Sequence, residues 1–391
     1  MRILVLSNTP FAPPTAGNRR RIHDMLAWLR ARGAAVAMLM LPAEDRGEWD
    51  VAAMRTGLDA FEIAEEIAPP RPSRPERLLR RLAPTLPHRP DGWCPPAFRD
   101  RAARFAAAWR PDVVLVEYVF LSACIPALRA LASPPRVVID THDLMHRRVA
   151  AYGEAGLRAQ WFHTTRGAER RGLARADLVL AIQEDDARVL RTLVRPDAVL
   201  TVPHAQPVAP APLAAATSQC LVAASYNDIN VVGLEWLLRE VWPRLRAALP
   251  AAELVVCGNV IAKIGVRPAG VAFRGVVPSL DDAYAASRVV LVPVPSGTGL
   301  KVKLVEALCH GRPVVTTPAG AAGVDAGEGT GVAVAADAEA FVAATRRLLE
   351  DEVAWRAAAG AAAAHARRRF APDAAFAPLW DALEGRVRRD D

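Results

Sequence analysis

One segment in the second half of the chain constrains the fold more than any other. An apolar, β-branched run from Val289 to Val294 predicts a buried strand. The loop Pro295–Gly299, which contains two glycines, follows this strand and leads into a helical pattern from Leu300 to Cys309. Another strand is predicted from Pro313 to Thr317. This order of strand, loop, helix and strand is typical of parallel α/β sheets, and it points the amides of a helix N-terminus towards an anion.

Lysine is rare in this chain, and its placement is therefore informative. Of the 49 basic residues only Lys263, Lys301 and Lys303 are lysine, and all others are arginine. Two of these lysines directly follow the glycine loop, where a compact ammonium group can contact a phosphate. Glu306 lies three residues beyond Lys303 on the same helix face, where its carboxylate can accept hydrogen bonds from the vicinal hydroxyls of a sugar. The alternative is a solvated Lys–Glu pair on an ordinary helix.

Length and composition indicate a globular α/β protein with two domains. The 391 residues exceed what one hydrophobic core usually spans, and 52% hydrophobic with 23% charged residues is a globular composition. Apolar strands alternate with helices rich in Ala, Leu and Arg. The five scattered cysteines contain no CxxC pair, which indicates reduced thiols and neither a disulfide framework nor a zinc site. The sequence shows no signal-peptide pattern and no run long enough for a membrane span.

The predicted elements divide into two Rossmann-like, doubly wound domains. The predicted boundaries are an N-terminal domain over residues 1–204, a linker over 205–218, a C-terminal domain over 219–370, and a C-terminal helix over 371–391 that packs back on the N-terminal domain. The linker is assigned from its alanine and proline content. The asparagines of the chain all follow predicted strands, at positions 8, 18, 227, 230 and 259. Their placement suits two domains that face each other across a polar cleft, although asparagine also serves turns and N-caps.

Two segments of the N-terminal domain place polar side chains after predicted strands. The first is the loop that ends at Gly17, Asn18 and Arg19, which is similar to an anion cradle but lacks the full GxGxxG pattern. In the second, His142 and Asp143 follow a strand ending at Asp140, at the sheet edge where open α/β folds bind ligands. The sequence HDLMH is close to the zincin motif. Because aspartate replaces the glutamate and no third ligand is evident, no metal site is predicted.

Residues 71–110 contain a cluster of positive charge. Ten arginines and three acidic residues give an excess of seven positive charges, equal to that of the whole chain. Leucines and Trp93 are interleaved with the arginines, a mixture suited to an anionic membrane surface or an acidic partner. A solvated arginine-rich loop is the alternative. Nucleic acid is not predicted as a partner, because no recognition motif accompanies the charge.

Taken together, these segments resemble the group-one (family four) retaining glycosyltransferases of the GT-B fold. The resemblance extends over nearly the whole chain, and its most specific part is GTGLKVKLVEALCHGRPVVTTPAGAAGV. It implies two Rossmann-like domains facing each other across a cleft, the C-terminal one binding a nucleotide sugar. The chain departs from the family pattern at two places. Thr298 stands where the family has its first glutamate, and residues 225–230 lack the arginine and lysine that many members carry there.

The resemblance also implies roles for individual residues. Lys301 and Lys303 would contact the donor diphosphate, Glu306 the nucleotide ribose, and His142 with Asp143 would lie near the transferred sugar. Further donor-binding residues are expected at Asn227, Asn230, Gly258, Ser296, Gly297, Thr298, Gly299 and Leu300. The implied reaction moves a sugar from a nucleotide diphosphate sugar to a glycan or lipid-linked acceptor with retention of configuration. No metal and no cofactor besides the donor substrate are expected.

Three other functions remain open from the sequence. A sugar-nucleotide 2-epimerase of the same shape would need additional carboxylates for proton transfer. A nicotinamide dehydrogenase is disfavoured by the missing GxGxxG pattern. A catalytically silent nucleotide-sugar-binding protein would agree with the missing first glutamate. The predicted location is the cytoplasm, with peripheral attachment to the inner face of the membrane through residues 71–110.

Overall fold

The computed structural model describes residues 1–43, 49–68, 78–79, 82–83, 86–158, 162–210 and 217–385. These residues form two compact units. The first is drawn from residues 1–150, 158–203 and the chain from 376 onward, and the second from residues 151–157 and 204–375. Each unit is built on one parallel β-sheet.

Within the described residues, the sheet of the first unit has seven strands in the order β3-β2-β1-β4-β5-β6-β7. The strands are β1 Arg2–Ser7, β2 Ala35–Met40, β3 Ala60–Ile63, β4 Val113–Glu117, β5 Arg136–Asp140, β6 Leu178–Ala181 and β7 Val199–Thr201. The helices between them along the chain are Gly17–Ala31, Val51–Thr56, Pro96–Trp109, Ile125–Arg129, Arg148–Glu154, Arg166–Leu173 and Glu184–Leu190, and residues 151–154 of the fifth belong to the second unit. The central strands are buried along nearly their whole length, as expected for a parallel sheet covered on both faces.

The sheet of the second unit has six strands, again counted over the described part of the chain, in the order β10-β9-β8-β11-β12-β13. They are β8 Gln219–Ala223, β9 Glu253–Cys257, β10 Val271–Gly275, β11 Val289–Val292, β12 Val314–Thr316 and β13 Val332–Val334. The helices are Asp228–Trp236, Trp242–Ala248, Asp281–Ala286, Val302–Cys309, Ala338–Glu350 and Glu352–Arg369, followed by Pro372–Leu383. One turn of π-helix, Leu237–Val241, joins the first two.

These two sheets confirm the predicted α/β class with two Rossmann-like domains. The largest differences from the sequence-based elements are local. Strand β3 was not predicted, because it is short, lies at the sheet edge and has no fully buried side chain. A π-turn divides the helical stretch between β8 and β9, and it lies directly before the segment containing Pro243. In both units the core is formed by the strands and by helix faces that contain large buried side chains such as Trp242 and Phe98.

The C-terminal helix contributes its second half to the first unit. Phe376 and Trp380 both pack against Trp28, with ring centroids 5.7 and 6.2 Å apart from it. Arg136 at the start of β5 donates a hydrogen bond to the carbonyl of Ala382. Aromatic pairs of this kind contribute about 0.5–1.5 kcal/mol beyond the area they bury. The end of the predicted C-terminal helix, residues 386–391, lies outside the described part of the chain.

The described cysteines are all free and buried, and Cys94 and Cys124 place their sulfur atoms 3.3 Å apart. Among the described residues, no helix is both long enough and apolar enough to cross a bilayer. Much of the basic segment predicted to bind a membrane, including Arg77, Arg80 and Arg81, lies outside the described residues. Within that segment, Leu78, Leu79 and Leu82 are described and expose 59%, 54% and 78% of their surface.

Candidate functional site

The glycine loop connects strand β11 to helix Val302–Cys309 in the second unit. Gly297 and Gly299 adopt φ angles of 133° and 70°, which L-residues with a side chain rarely adopt. At Gly297 the space itself would admit a methyl group, since its nearest neighbours would be 3.7 Å away. The glycines are therefore required by the course of the backbone. They allow the turns of the segment between strand β11 and helix Val302–Cys309.

The two lysines behave differently in this loop. Lys301 is the N-cap residue of the helix, and its ammonium folds back to the carbonyl oxygens of Gly299, at 2.7 Å, and Thr298, at 3.3 Å. Lys303 lies in the first turn and its ammonium is 2.7 Å from Oε2 of Glu306. Both ammonium groups are only partly exposed. The loop therefore concentrates two positive charges at a helix N-terminus, a place that favours an anion.

Glu306 is the buried acid of this site, with 6% of its surface exposed. Its Oε2 atom accepts hydrogen bonds from the Lys303 ammonium and from the hydroxyl of Tyr284, at 3.1 Å. This contact confirms that Lys303 and Glu306 lie on one helix face, as their spacing predicts. The Lys303 side chain is 27% exposed and that of Glu306 is 8% exposed, and the contact of both with a donor stays a prediction.

The other residues predicted to bind the donor have structural partners. Asn227 caps helix Asp228–Trp236 by accepting a bond from the amide of Asn230, at 2.7 Å, and Asn230 donates to the carbonyl of Ser225. Both asparagine side chains therefore stabilise the loop after β8. Their contact with a donor stays a prediction. Ser296 is 2% exposed and donates to the carbonyl of Ala151 in the same unit. Leu300 is also buried.

Gly258 ends strand β9 at a place with no room for a side chain. Its φ angle is 112°, and a Cβ there would lie 2.0 Å from the carbonyl oxygen of Ala224. Its amide donates to the carbonyl of Gly275, at 2.6 Å. Glycine is needed here so that the ends of three neighbouring strands can approach one another.

In the first unit, His142 lies in a buried cluster at the carboxyl ends of β4 and β5. Its Nε2 atom is 2.6 Å from Oε2 of Glu117, the last residue of β4. The ring of Tyr118 stacks on the imidazole with centroids 4.1 Å apart. Both His142 and Tyr118 adopt positive φ angles, 58° and 63°, a strain that costs about 1–3 kcal/mol each. Strain of this kind is concentrated at functional sites, which agrees with the prediction for His142.

Asp140 completes this cluster together with a helix arginine. Arg21 donates two hydrogen bonds to Asp140, at 2.7 and 3.1 Å, and both side chains are fully buried. Burial alone would raise the pKa of Asp140, but Arg21 and His142 outweigh it and lower the pKa. Burial raises the pKa of Glu117, although the hydrogen bond with His142 opposes this shift. The two carboxyl groups beside His142 therefore have opposite tendencies to bind a proton.

Of the predicted N-terminal loop residues, Asn18 interacts with this cluster. Gly17 begins helix Gly17–Ala31, and Asn18 makes a side-chain hydrogen bond with Tyr118. Arg19 is 7% exposed, and its amide donates to Oδ1 of Asn18. Asp143 lies slightly apart, in an ion pair with Arg148 at 3.0 Å. Asn18 is therefore linked to His142 through Tyr118, whereas Asp143 pairs with Arg148.

Sequence reasoning missed Glu117, Tyr118, Arg21 and Tyr284 as members of these sites. Glu117 and Tyr118 could have been found, because they lie at the carboxyl end of β4, just as His142 lies near the carboxyl end of β5. Arg21 and Tyr284 lie within helices, and nothing in the sequence distinguishes them from other helical residues. Their partners are 119 and 22 residues away along the chain.

A metal ion could in principle be held by Glu117, Asp140 and His142, whose ligand atoms lie within 4.8 Å of one another. The polar contacts argue for a hydrogen-bonded network instead. Asp140 already accepts two N–H groups from a positively charged guanidinium, and His142 contacts Glu117 directly. A cation beside Arg21 would be repelled at short range in a buried site.

Sequence comparison identifies the class to which this fold and these sites belong. Residues 16–205 match the family model described as glycosyl transferase 4-like domain, and residues 217–351 match the one described as glycosyl transferases group 1. Together these matches cover most of the chain, one in each unit. No curated protein matches the chain.

Solved structures agree on the fold. Anabaena Alr3699/HepE, crystallised in complex with UDP, is 15% identical with a TM-score of 0.70, over 98% of this chain and all of that one. Sucrose-phosphate synthase from Thermosynechococcus elongatus is 16% identical with a TM-score of 0.71, over 99% of this chain and 100% of that one. The lipopolysaccharide outer core galactosyltransferase WaaB is 12% identical with a TM-score of 0.62, over 99% of this chain and 100% of that one. The chain has a GT-B glycosyltransferase fold, and it belongs to the group 1 glycosyltransferases with a family-four-like N-terminal domain.

Proposed function

We propose that this glycosyltransferase moves a sugar from a nucleotide diphosphate sugar to a glycan or lipid-linked acceptor with retention of configuration. The observation that carries the proposal is the arrangement of Lys301, Lys303 and Glu306 on one glycine loop and helix start. Two ammonium groups and helix amides suit a diphosphate, and a buried carboxylate beside them suits ribose hydroxyls. The UDP complex of Alr3699/HepE supports a nucleotide ligand for this fold.

The proposed reaction breaks the bond between the anomeric carbon and the diphosphate oxygen. Negative charge develops on the leaving diphosphate, and Lys301 with Lys303 stabilises it, an effect of several kcal/mol in comparable sites. The acceptor oxygen then bonds to the anomeric carbon on the face from which the leaving group departs, and its proton passes to the diphosphate. A position of His142 near the transferred sugar stays a prediction of the family resemblance. The ammonium groups take the role that a metal has in other transferases, so we propose no metal cofactor.

The proposal is tested with a panel of UDP-, GDP-, ADP- and TDP-sugars. The matching donor is expected to raise the melting temperature, since a ligand at 100 times its Kd stabilises a protein by about 2.7 kcal/mol. With that donor and a glycan acceptor, NMR should show that the product keeps the anomeric configuration of the donor. An inverted product would overturn retention. Isomerisation of the donor without an acceptor would identify an epimerase, and binding without turnover a silent protein.

Glu306 provides a more specific prediction for the donor site. Glu306→Gln is expected to weaken the binding of a nucleoside diphosphate and to leave inorganic diphosphate binding unchanged. The reason is that the charged acceptor for the ribose is lost, whereas the phosphate contacts of the loop remain. Calorimetric titrations with both ligands measure the two effects separately. An equal loss for both would show that Glu306 acts only by holding Lys303.

We also propose that residues 71–110 attach this enzyme to the cytoplasmic face of an anionic membrane, where a lipid-linked acceptor is located. The excess of seven positive charges supports this, as do the exposed Leu78, Leu79 and Leu82. Each arginine near such a surface contributes about 1 kcal/mol within roughly a Debye length. The arginines chosen for the test, Arg77, Arg80 and Arg81, lie outside the described residues.

Co-sedimentation with liposomes tests the membrane proposal. The protein is expected to sediment with vesicles containing phosphatidylglycerol at low salt and to be released as the salt concentration increases. It should not bind zwitterionic vesicles. Changing Arg77, Arg80 and Arg81 together to Glu should abolish sedimentation, because the charge excess falls by six. Wild-type protein that stays in the supernatant at low salt would overturn the proposal and favour a soluble acceptor.

A further inference from the structure

Glu306 is held by two donors on the same oxygen atom. The Lys303 ammonium and the Tyr284 hydroxyl both contact Oε2, at 2.7 and 3.1 Å. An ionised carboxylate has about four lone-pair positions distributed over its two oxygens. With both internal donors on Oε2, Oε1 is the oxygen that remains to accept a bond from a ligand. The orientation of the carboxylate therefore depends on the groups that hold Oε2.

Tyr284 is fixed more firmly than Lys303. It is 1% exposed on helix Asp281–Ala286, and its ring stacks on His310 with centroids 4.4 Å apart and planes 12° apart. Its carbonyl accepts a hydrogen bond from the fully buried Arg312, at 2.7 Å. Lys303, by contrast, has a long flexible side chain that is 27% exposed. The tyrosine is thus the rigid donor of the pair.

The hydroxyl of Tyr284 also stays protonated under ordinary conditions. Burial raises the pKa of Tyr284 well above its usual value, and the neighbouring Glu306 raises it further. A neutral hydroxyl can donate only one hydrogen bond, and here the donor is directed at Glu306. Tyr284 itself is too deeply buried to contact a ligand, so any effect on the ligand must act through Glu306.

We propose that Tyr284 is a positioning residue that directs Oε1 of Glu306 at the ribose, and that it thereby sets the preference for ribonucleotide donors over 2′-deoxyribonucleotide donors. This inference rests on the proposed function, because it requires a nucleotide donor in the loop. Lys303 holds the same oxygen from the solvent side and neutralises the carboxylate. Removing the tyrosine hydroxyl leaves the carboxylate free to turn towards Lys303, and Oε1 loses its fixed direction.

The test is calorimetric titration of the Tyr284→Phe variant with UDP, 2′-deoxy-UDP and inorganic diphosphate. Phenylalanine keeps the ring, its stacking on His310 and the carbonyl contact with Arg312, and only the hydroxyl is lost. The affinity for UDP is expected to fall by about tenfold, the scale of a lost hydrogen bond to a charged group. The affinity for inorganic diphosphate should hardly change. The affinity for 2′-deoxy-UDP should fall less than that for UDP, because 2′-deoxy-UDP lacks one of the two hydroxyls that Glu306 can bind, so the preference for UDP over its deoxy form should decrease.

Thr345→Val is the matched control. Thr345 is fully buried in the same unit, and its hydroxyl donates to the carbonyl of Phe341 within its own helix. This variant should reduce stability without changing the preference for UDP. If Tyr284→Phe weakens all three ligands equally, its role is structural and the inference fails. The inference also fails if the wild type binds UDP and 2′-deoxy-UDP equally. If that protein still turns over a sugar nucleotide, the proposed function is retained. Absence of any nucleotide binding or turnover would overturn both.

Discussion

Replacing Lys301 and Lys303 together with alanine is expected to lower the affinity for a nucleoside diphosphate at least tenfold. A charge-assisted hydrogen bond contributes about 1.5–3 kcal/mol, and two are removed at once. Lys301 lies at the N-cap of its helix and Lys303 in the first turn, so both charges act where the helix amides also favour an anion. Isothermal titration calorimetry of each variant measures the affinity. The ligand is UDP, or another nucleoside diphosphate if the donor panel identifies one.

Lys263→Ala is the matched control for the lysine pair, since Lys263 is the remaining lysine of the chain and belongs to the same unit. Its ammonium lies 5.6 Å from the ring centroid of Tyr226, outside the glycine loop. We expect this variant to bind the nucleotide like the wild type. The single variants should differ, because Lys303→Ala releases Glu306, whereas Lys301→Ala removes the hydrogen bonds to the carbonyl oxygens of Thr298 and Gly299. An unchanged affinity of the double variant, with the fold intact, would contradict the assignment of the diphosphate site.

Gly233→Ala is expected to destabilise the second unit by about 3 kcal/mol, the upper part of the range for an overpacked core. Gly233 lies in helix Asp228–Trp236, and a Cβ there would come within 1.8 Å of the carbonyl oxygen of Pro293. The neighbouring Pro295 would be 3.0 Å away. Because these contacts are to the backbone and to a proline ring, no flexible side chain can move aside. Thermal and urea unfolding measure the loss.

Gly360→Ala is the same chemical change, but it is expected to stabilise the protein. Gly360 lies in the interior of helix Glu352–Arg369, is exposed, and its added Cβ would have nothing within 4 Å. Alanine there should stabilise the helix by about 0.5–1 kcal/mol. Pro293 directly follows strand β11 and leads into the glycine loop, so Gly233→Ala should also weaken nucleotide binding, which Gly360→Ala should not. Equal melting temperatures for Gly233→Ala and the wild type would show that the helix does not pack closely on the loop.

Much of the architecture could be predicted from the sequence because it depends on local patterns. Continuous apolar runs such as Val113–Glu117 and Val289–Val292 mark strands of a covered parallel sheet. Gly297 and Gly299 mark the turn before a helix, and the spacing of Lys303 and Glu306 places them on one face. Each of these inferences involves residues that are close in the chain, so backbone geometry alone determines the outcome.

The tertiary structure decided which distant residues complete the two sites. Arg21 meets Asp140 across 119 residues, and Glu117 meets His142 because β4 and β5 are neighbours in the sheet. Sequence spacing cannot indicate such contacts, since they depend on strand order and on how helices pack against the sheet. Tyr284 illustrates the same limit within one unit. Its hydroxyl reaches Glu306 only because helices Asp281–Ala286 and Val302–Cys309 come together, which is a consequence of packing and not of any local pattern.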